Sequence, residues 1–177
     1  MTDAWCLETE RLVLRRFTRD DAEFVRELVN EPGWLRHIGD RKVHTLEDAL
    51  GYLERAMLAQ YARLGFGFYR VERREDGVPV GLCGLVRREG MPDADLGFAL
   101  LARHERRGYA FEAAERVVRH AREDLGLARL AAITRPDNAG SIALLVKLGM
   151  RYERAFRLPG EGEELSLYAM ALGAPPS

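Results

Sequence analysis

The chain has 177 residues, of which 47% are apolar and 31% are charged, and its formal net charge is −1. This length suits one domain that buries its own core without disulfide or metal staples. The balanced charge argues against a general nucleic-acid binder, and no apolar run approaches the ~20 residues that a membrane-spanning helix needs.

The first third of the chain predicts one strand and two helices. Alternating apolar residues favour a strand over residues 11–17. Thr18 and Asp21 have the spacing of a capping box, so we expect a helix that begins there and ends at the Pro-Gly pair 32–33, followed by a loop. A second helix is predicted over residues 45–65, because apolar residues recur there at helical spacing.

The remaining elements alternate between strands and helices. Gly81 and Gly84, inside one predicted strand, indicate a bulge or a close backbone approach. The order fits one mixed sheet with helices on both faces, in a single domain over residues 7–172 followed by a disordered tail over 173–177. The predicted strands cover residues 66–73, 78–88, 95–101, 130–134, 151–158 and 164–172, and the predicted helices cover residues 108–126 and 138–148.

The turn before the longest predicted helix has the features of an anion site. Only residues 102–107 separate the preceding strand from the helix that begins at Gly108. The first N–H groups of a helix lack partners and the helix dipole is positive there, so a phosphate docks favourably. Gly108 allows close backbone approach, and Arg106 and Arg107 add positive charge. A solvated basic turn before a surface helix explains the same residues.

Several segments resemble, in the right order, the GNAT superfamily of acetyltransferases and within it the RimJ/RimL-like branch, the ribosomal-protein N-terminal acetyltransferases. The run Asp95-Leu96-Gly97-Phe98-Ala99-Leu100 is similar to the fourth strand of that branch, and residues 107–113 resemble its phosphate loop. Residues 136–141 with 147–150 resemble its second signature, and residues 7–15 its first strand. The resemblance implies a mixed, mostly antiparallel central sheet of about seven strands and four helices, with helices on both faces.

This resemblance implies acetyl-CoA as the acetyl donor and direct transfer to a primary amine, on a protein N-terminus or a small molecule, without an acyl-enzyme. A main-chain N–H within residues 98–100 would polarise the thioester carbonyl. The acceptor would lie between residues 32–44 and the tip of the last hairpin at 159–164. The implied coenzyme-binding residues are Phe98, Ala99, Leu100, Arg106, Arg107, Gly108, Tyr109, Ala110 and Asn138.

Asp95 and Ser141 are the predicted catalytic residues. Asp95 would take a proton from the acceptor ammonium directly or through a water, and Ser141 would donate to the departing sulfur. Glu153 is a second candidate base, and a desolvated amine that loses its proton to solvent needs no base. Both predicted residues have structural explanations too. Asp95 fits a solvated acid at a strand end, and Ser141 fits a polar residue in the first turn of a helix that Asn138 caps.

Two residues depart from the family pattern and keep a second function open. Glu105 stands where the superfamily usually has glutamine or arginine, and we expect it to point away from the phosphate. Leu145 stands where much of the superfamily has a tyrosine that serves the leaving thiolate, whereas the RimL-like branch tends to have a serine at the position of Ser141. The alternative is therefore an acyl-CoA-binding or regulatory module with weak catalysis.

The other reactive side chains indicate no further chemistry. The four histidines lack metal-ligand spacing, so we expect no metal, and His104 is expected on a loop surface. Cys6 and Cys83 are expected to be reduced thiols. The first residues have no basic start and no apolar segment, so we expect no signal peptide and a cytoplasmic protein. We expect the protein to be a monomer or a homodimer.

Overall fold

Strands and helices alternate through most of the chain, which the computed structural model describes over residues 5–160 and 162–173. The predicted tail lies outside the described residues from residue 174 on. The strands are β1 Cys6–Glu8, β2 Leu12–Arg16, β3 Phe68–Arg73, β4 Pro79–Val86, β5 Ala94–Leu100, β6 Arg129–Thr134, β7 Arg151–Phe156 and β8 Leu165–Ala171. The α-helices are α1 Ala22–Val29, α2 Pro32–His37, α3 Leu46–Leu53, α4 Ala59–Leu64, α5 Tyr109–Glu123 and α6 Ala139–Leu148.

All eight described strands form one sheet, in the order β1-β2-β3-β4-β5-β6-β8-β7. Neighbouring strands are antiparallel except β5 and β6, which run parallel. The predicted mixed, mostly antiparallel sheet is confirmed, with eight strands in place of about seven. The additional strand, β1, pairs with β2 over three residues, which is too short to show a two-residue alternation in the sequence.

The helices follow the prediction except at residues 32–37. The loop predicted there is wrong, because Pro32 occupies the first turn of α2, where the missing N–H of proline costs nothing. The predicted helix start at residue 45 is confirmed, and Thr45 and Asp48 form a capping box there, since each accepts a hydrogen bond from the other's main-chain N–H at 3.0 Å. A π-helical turn, Glu54–Leu58, joins α3 to α4. None of the helices in the described ranges combines the length and the apolar character needed to cross a membrane.

The core lies on both sides of the central strands. Nearly every residue of β4 is buried, as expected for a strand with both faces covered. A Cβ atom at Gly84 would lie 2.1 Å from the Gly67 carbonyl oxygen, and one at Gly81 would lie 2.1 Å from the Ala99 carbonyl oxygen. The close backbone approach predicted at these glycines is confirmed. A bulge precedes Gly81 as well, where Val80 has no partner in β3.

A buried carboxylate fixes the start of α1 against the sheet. Asp21 accepts two hydrogen bonds from the Arg15 guanidinium at 2.9 Å, one from Arg70 Nη1 at 2.7 Å and one from the Thr18 N–H at 2.8 Å. Burial alone would raise the pKa of Asp21, but these donors outweigh it and hold the pKa below its ordinary value. The ionised carboxylate therefore stabilises the fold at neutral pH.

We expect Asp21→Asn to lower the free energy of unfolding by about 3 kcal/mol, because it leaves two guanidinium groups without their buried partner. Urea denaturation at pH 7 measures this change. The exposed neighbour Asp20 provides the control, since Asp20→Asn should change stability by less than ~0.5 kcal/mol. The Asp21 contribution is present above the unfolded pKa of ~3.9 and is lost as pH falls through the lower folded pKa, so the two curves should converge in acid. Equal losses from both variants would contradict this role.

Candidate active site

A cavity of about 820 Å³ opens between the carboxyl ends of β5 and β6. This volume lies in the range of small-molecule and cofactor sites. Its wall combines α2, the length of β5, the turn before α5, the end of β6 and the start of α6. The predicted site residues that line it are Asp95, Phe98, Ala99, Leu100, Arg106, Gly108, Tyr109, Ala110, Asn138 and Ser141.

The cavity exists because β5 and β6 separate soon after they meet. The two strands pair only at Ala94 and Asp95 of β5. Beyond that point β5 continues to Leu100 and β6 to Thr134 without pairing to each other. The strands thus leave a wedge-shaped gap, whose edges carry main-chain groups without sheet partners.

The hydrogen-bond register shows which main-chain groups of β5 face the gap. The Leu101 N–H donates to the Val80 carbonyl oxygen on the β4 side at 2.9 Å. Antiparallel strands exchange such bonds at every second residue pair, so Ala99 also bonds to β4. Phe98 and Leu100 therefore turn their main-chain groups toward β6. An extended ligand in the gap would find main-chain donors and acceptors at Phe98 and Leu100.

The turn before α5 shapes the other end of the cavity. Arg106 and Gly108 adopt the left-handed backbone conformation, with φ of 63° and 80°. Gly108 is the N-cap of α5, so the first N–H groups of this helix lack partners within it. Arg106, Gly108, Tyr109 and Ala110 line the cavity, as a phosphate-binding role requires.

Two residues of the same turn differ from the expectation. Arg107 is not part of the cavity wall, and its carbonyl oxygen accepts a hydrogen bond from Arg11 Nη1 at 2.9 Å. A coenzyme contact by Arg107 stays a prediction. Glu105 is exposed and lines the cavity, which does not match the expectation that it points away.

The first turn of α6 forms a third part of the wall. Asn138 caps this helix, because its Oδ1 accepts the Ser141 N–H at 3.1 Å. The half-buried Ser141 carries a hydroxyl that makes no hydrogen bond within the described part of the chain. Leu145 is buried and lines the cavity, so an apolar side chain stands where much of the superfamily has tyrosine.

Asp95 lies where β5 and β6 part and is only 2% exposed, which overturns its reading as a solvated strand-end acid. Its Oδ2 accepts a hydrogen bond from Arg88 Nε at 2.5 Å. Its Oδ1 is buried and makes no hydrogen bond of ordinary geometry within the described residues. Burial raises the pKa of Asp95 to about 6, against the opposing effects of Arg88 and the Ile133 N–H. The carboxylate is therefore ionised at pH 7, with a pKa suited to proton transfer.

The α2 side of the cavity, within the predicted acceptor segment 32–44, holds buried polar atoms. Trp34 Nε1 and His37 Nδ1 are buried, line the cavity and lack hydrogen-bond partners within the described ranges. Trp34 belongs to both the cavity wall and the core, since it is only 6% exposed. Burial raises the pKa of Tyr52, against the effect of Arg41, so this phenol remains neutral. The resemblance predicts residues 32–44 as part of the acceptor site, but a loop prediction for residues 34–44 carries no information on which side chains point into the cavity.

Other candidate residues lie away from the cavity wall. Glu153, on the edge strand β7, pairs with Arg129 of β6. His104 is buried, contrary to the predicted loop surface, and burial lowers its pKa. Cys83 is buried outside the cavity wall, and Cys6 is exposed. Across residues 5–160 and 162–173, no three acidic, histidine or cysteine side chains cluster as metal ligands.

Comparison with known sequences identifies the family. A family model described as the acetyltransferase (GNAT) domain matches residues 11–151. The uncharacterized N-acetyltransferase YoaA of Bacillus subtilis (strain 168) is 31% identical over 153 residues, which cover 85% of each chain. The uncharacterized N-acetyltransferase p20 of Bacillus licheniformis is 25% identical over 170 residues, which cover 94% of each chain.

Solved structures agree with this assignment. An acetyltransferase from Agrobacterium tumefaciens str. C58 matches with a TM-score of 0.80 and 27% identity over 96% of each chain. RimL, a ribosomal L7/L12 alpha-N-protein acetyltransferase solved in complex with coenzyme A, has a TM-score of 0.80 over 94% of this chain and 98% of its own. Its 17% identity shows the fold alone. The chain belongs to the GNAT acetyltransferases and is an acetyl-CoA-dependent enzyme.

Proposed function

We propose that the enzyme transfers the acetyl group of acetyl-CoA directly to a primary amine bound in the cavity between β5 and β6. One observation carries this proposal. The same cavity joins a free helix start at Gly108, an unpaired strand edge at residues 98–100 and the buried carboxylate of Asp95. These three features suit, in order, the pyrophosphate, the thioester arm and the acceptor amine.

The turn at residues 106–110 would hold the pyrophosphate. The free N–H groups at the start of α5 and the positive end of its dipole favour an anion. Gly108 lets the backbone approach closely, and Arg106 adds a cationic side chain. Asn138, on the facing wall, is a further coenzyme contact in this proposal, in addition to its role as helix cap.

Residues 98–100 would align and polarise the thioester. The main-chain groups of Phe98 and Leu100 face the gap, so an N–H of this segment can donate to the thioester carbonyl oxygen. Such a fixed donor stabilises the negative charge that develops on this oxygen during attack. The donor belongs to a strand, so it needs no rearrangement at the moment of reaction.

Asp95 would bind the acceptor and remove its proton. An ammonium group next to Asp95 Oδ1 supplies a well-aligned hydrogen-bond donor, which this buried oxygen lacks among the described residues. The ionised carboxylate then takes a proton, directly or through a water, and leaves a neutral amine to attack the carbonyl carbon. Trp34 Nε1 and His37 Nδ1 offer hydrogen bonds to the part of the acceptor beside the amine.

Ser141 would serve the leaving group, and the cysteines take no part. The Ser141 hydroxyl lines the cavity and can donate a hydrogen bond to the departing thiolate. Cys83 lies outside the cavity wall, and burial raises the pKa of its thiol, so a thiolate nucleophile does not form there. This arrangement supports direct transfer without an acyl-enzyme.

Gly108→Glu should weaken acetyl-CoA binding by about 100-fold, because a carboxylate then faces the pyrophosphate and charged hydrogen bonds are lost. Isothermal titration calorimetry measures the affinity. Gly126→Glu is the matched control, since Gly126 has φ of 64°, lies just beyond the other end of α5 and has open space around it. Both variants share the backbone strain, so only Gly108→Glu should lose binding. Equal affinity in both variants would refute the loop assignment.

Asp95→Asn should lower kcat by at least ~100-fold, the usual scale for loss of a general base. A base must be ionised, so kcat of the unaltered enzyme should rise as pH rises through about 6 and then level. The Asn variant should lack this rise. Glu153→Gln, at the other candidate base, should keep both the rate and the rise.

The raised pKa of Asp95 also predicts how stability depends on pH: kcat should rise with pH, whereas the stability of the fold should fall. The raised pKa of Asp95 means that the fold loses stability as pH rises from the unfolded value of ~3.9 to about 6. Asp95→Asn should therefore not lower the melting temperature at pH 7. A folded variant with unchanged kcat and pH profile would exclude Asp95 as the base.

Ser141→Ala should lower kcat by roughly 10- to 100-fold and leave the affinity for acetyl-CoA within about twofold. The Asn138 cap survives in this variant, because the Ser141 main-chain N–H makes that hydrogen bond. Thiol release from acetyl-CoA with a panel of amines and N-terminal peptides measures kcat. Ser141→Thr keeps a hydroxyl and should restore most of the rate. Equal rates for the Ala variant and the unaltered enzyme would leave Ser141 a structural residue.

A further inference from the structure

A cluster of side chains outside the cavity contacts the turn at residues 106–110 and the start of α5 on the side away from the cavity. Glu112, in the first turn of α5, accepts hydrogen bonds from the Arg11 main-chain N–H at 3.0 Å, from Arg11 Nε at 2.8 Å and from the Thr9 hydroxyl. The Arg11 guanidinium donates to the Arg107 carbonyl oxygen at 2.9 Å and lies 4.7 Å from the centre of the Tyr109 ring. The turn between β1 and β2 is thereby attached to the start of α5.

The hydrogen bond to Arg107 sets the direction of one peptide plane. A trans peptide points its C=O and the following N–H to opposite sides, and the described chain has no cis bond. The Arg107 carbonyl faces Arg11, which is not part of the cavity wall. The Gly108 N–H is therefore directed to the other side, where Gly108 borders the cavity. This orientation is the one that a bound pyrophosphate needs.

The turn does not fix this orientation by itself. Glycine adopts either sign of φ with similar ease, so the plane before Gly108 can turn over at little steric cost. Arg106 has φ of 63°, which is unfavourable for a residue with a Cβ atom. An external contact must hold the conformation, and within the described residues Arg11 provides it.

Glu112 holds the Arg11 side chain in place, and Arg11 in turn neutralises the charge of this carboxylate. Its carboxylate lies near the helix start, where its charge alone would oppose a bound anion. Burial would raise the pKa of Glu112, but the hydrogen bonds from Thr9 and Arg11 outweigh it and hold the pKa below its ordinary value. The carboxylate is thus ionised and paired with Arg11, which it keeps against Tyr109 and Arg107.

We propose that Arg11, oriented by Glu112, is a positioning residue that presents the Gly108 N–H to the pyrophosphate of acetyl-CoA. Arg11 acts through the turn, since it does not line the cavity. This inference rests on the proposed binding of the pyrophosphate at residues 106–110. A purely structural attachment would affect every acetyl donor equally. If Arg11 acts through the pyrophosphate site, its loss should lower kcat/KM only for acetyl donors that carry a pyrophosphate.

The test compares kcat/KM for acetyl-CoA with kcat/KM for S-acetyl-pantetheine, which has no pyrophosphate. Arg11→Lys keeps a positive charge beside Glu112 but loses the fixed donor to Arg107 and the planar contact with Tyr109. It should lower kcat/KM for acetyl-CoA about tenfold, through KM, and leave kcat/KM for S-acetyl-pantetheine unchanged. Equal loss with both donors, or loss with neither, would overturn the proposal.

Arg74, which follows β3, offers a matched control because it contacts the same turn between β1 and β2. Arg74 Nη1 donates to the Thr9 carbonyl oxygen at 2.8 Å, but Arg74 makes no contact with the turn before α5 within the described hydrogen bonds. Arg74→Lys should leave the preference between the two donors unchanged. Glu112→Gln is a second variant should Arg11→Lys fold poorly, and it should shift the preference in the same direction by a smaller factor.

The outcome separates this inference from the proposed function. If Gly108→Glu weakens acetyl-CoA binding as expected while Arg11→Lys leaves the preference between the two acetyl donors unchanged, only the role of Arg11 fails. If Gly108→Glu still binds acetyl-CoA as the unaltered enzyme does, the loop assignment fails, and the role of Arg11 fails with it.

Discussion

The early separation of β5 and β6 is the constraint on which the site depends. Buried main-chain groups need hydrogen-bond partners, and two strands that part after Asp95 leave such groups facing a cavity. Each of these strands leads through a turn into a helix, α5 or α6, so both helix starts lie at the carboxyl ends of the parting strands. The wedge thus gathers an open strand edge and two helix N-termini in one place, which is where α/β sheets commonly bind ligands.

The wedge also separates two opposite charge requirements. A pyrophosphate needs positive surroundings, and an ammonium acceptor needs a negative group. Asp95 lies at the start of β5, and the turn at 106–110 follows its end, with about 17 Å of strand between Asp95 and Leu100. In the proposed function, a nearly neutral chain therefore offers an anion site and a cation site in one cavity without bringing Asp95 close to the phosphate. The buried pairing of Asp95 with Arg88 keeps the carboxylate ionised at pH 7 while one oxygen stays available.

The parts of the site that depend on local rules were predictable from the sequence. The helix start at Gly108 and the cap at Asn138 each follow from a few adjacent residues, and the structure contains both. What the sequence missed depends on tertiary contacts. The burial of Asp95 results from packing between strands that lie far apart in the sequence. Pro32 was misread because proline both ends one helix and begins the next.

The two halves of the proposed reaction depend on different kinds of atoms. The coenzyme half uses main-chain groups at residues 98–100 and 106–110, so it is compatible with many side chains. The acidic side chain of Glu105 is therefore compatible with coenzyme binding. The requirement of the coenzyme half is backbone direction, which explains why a residue outside the cavity, Arg11, can matter for it. The acceptor half uses side-chain atoms, above all Trp34 Nε1 and Asp95 Oδ1, which are buried and have no hydrogen-bond partner in the described part of the chain. Substitutions in α2 should therefore change which amine is acetylated and leave coenzyme binding constant. A substitution of Trp34 should alter the preference among amines more than it alters the affinity for acetyl-CoA.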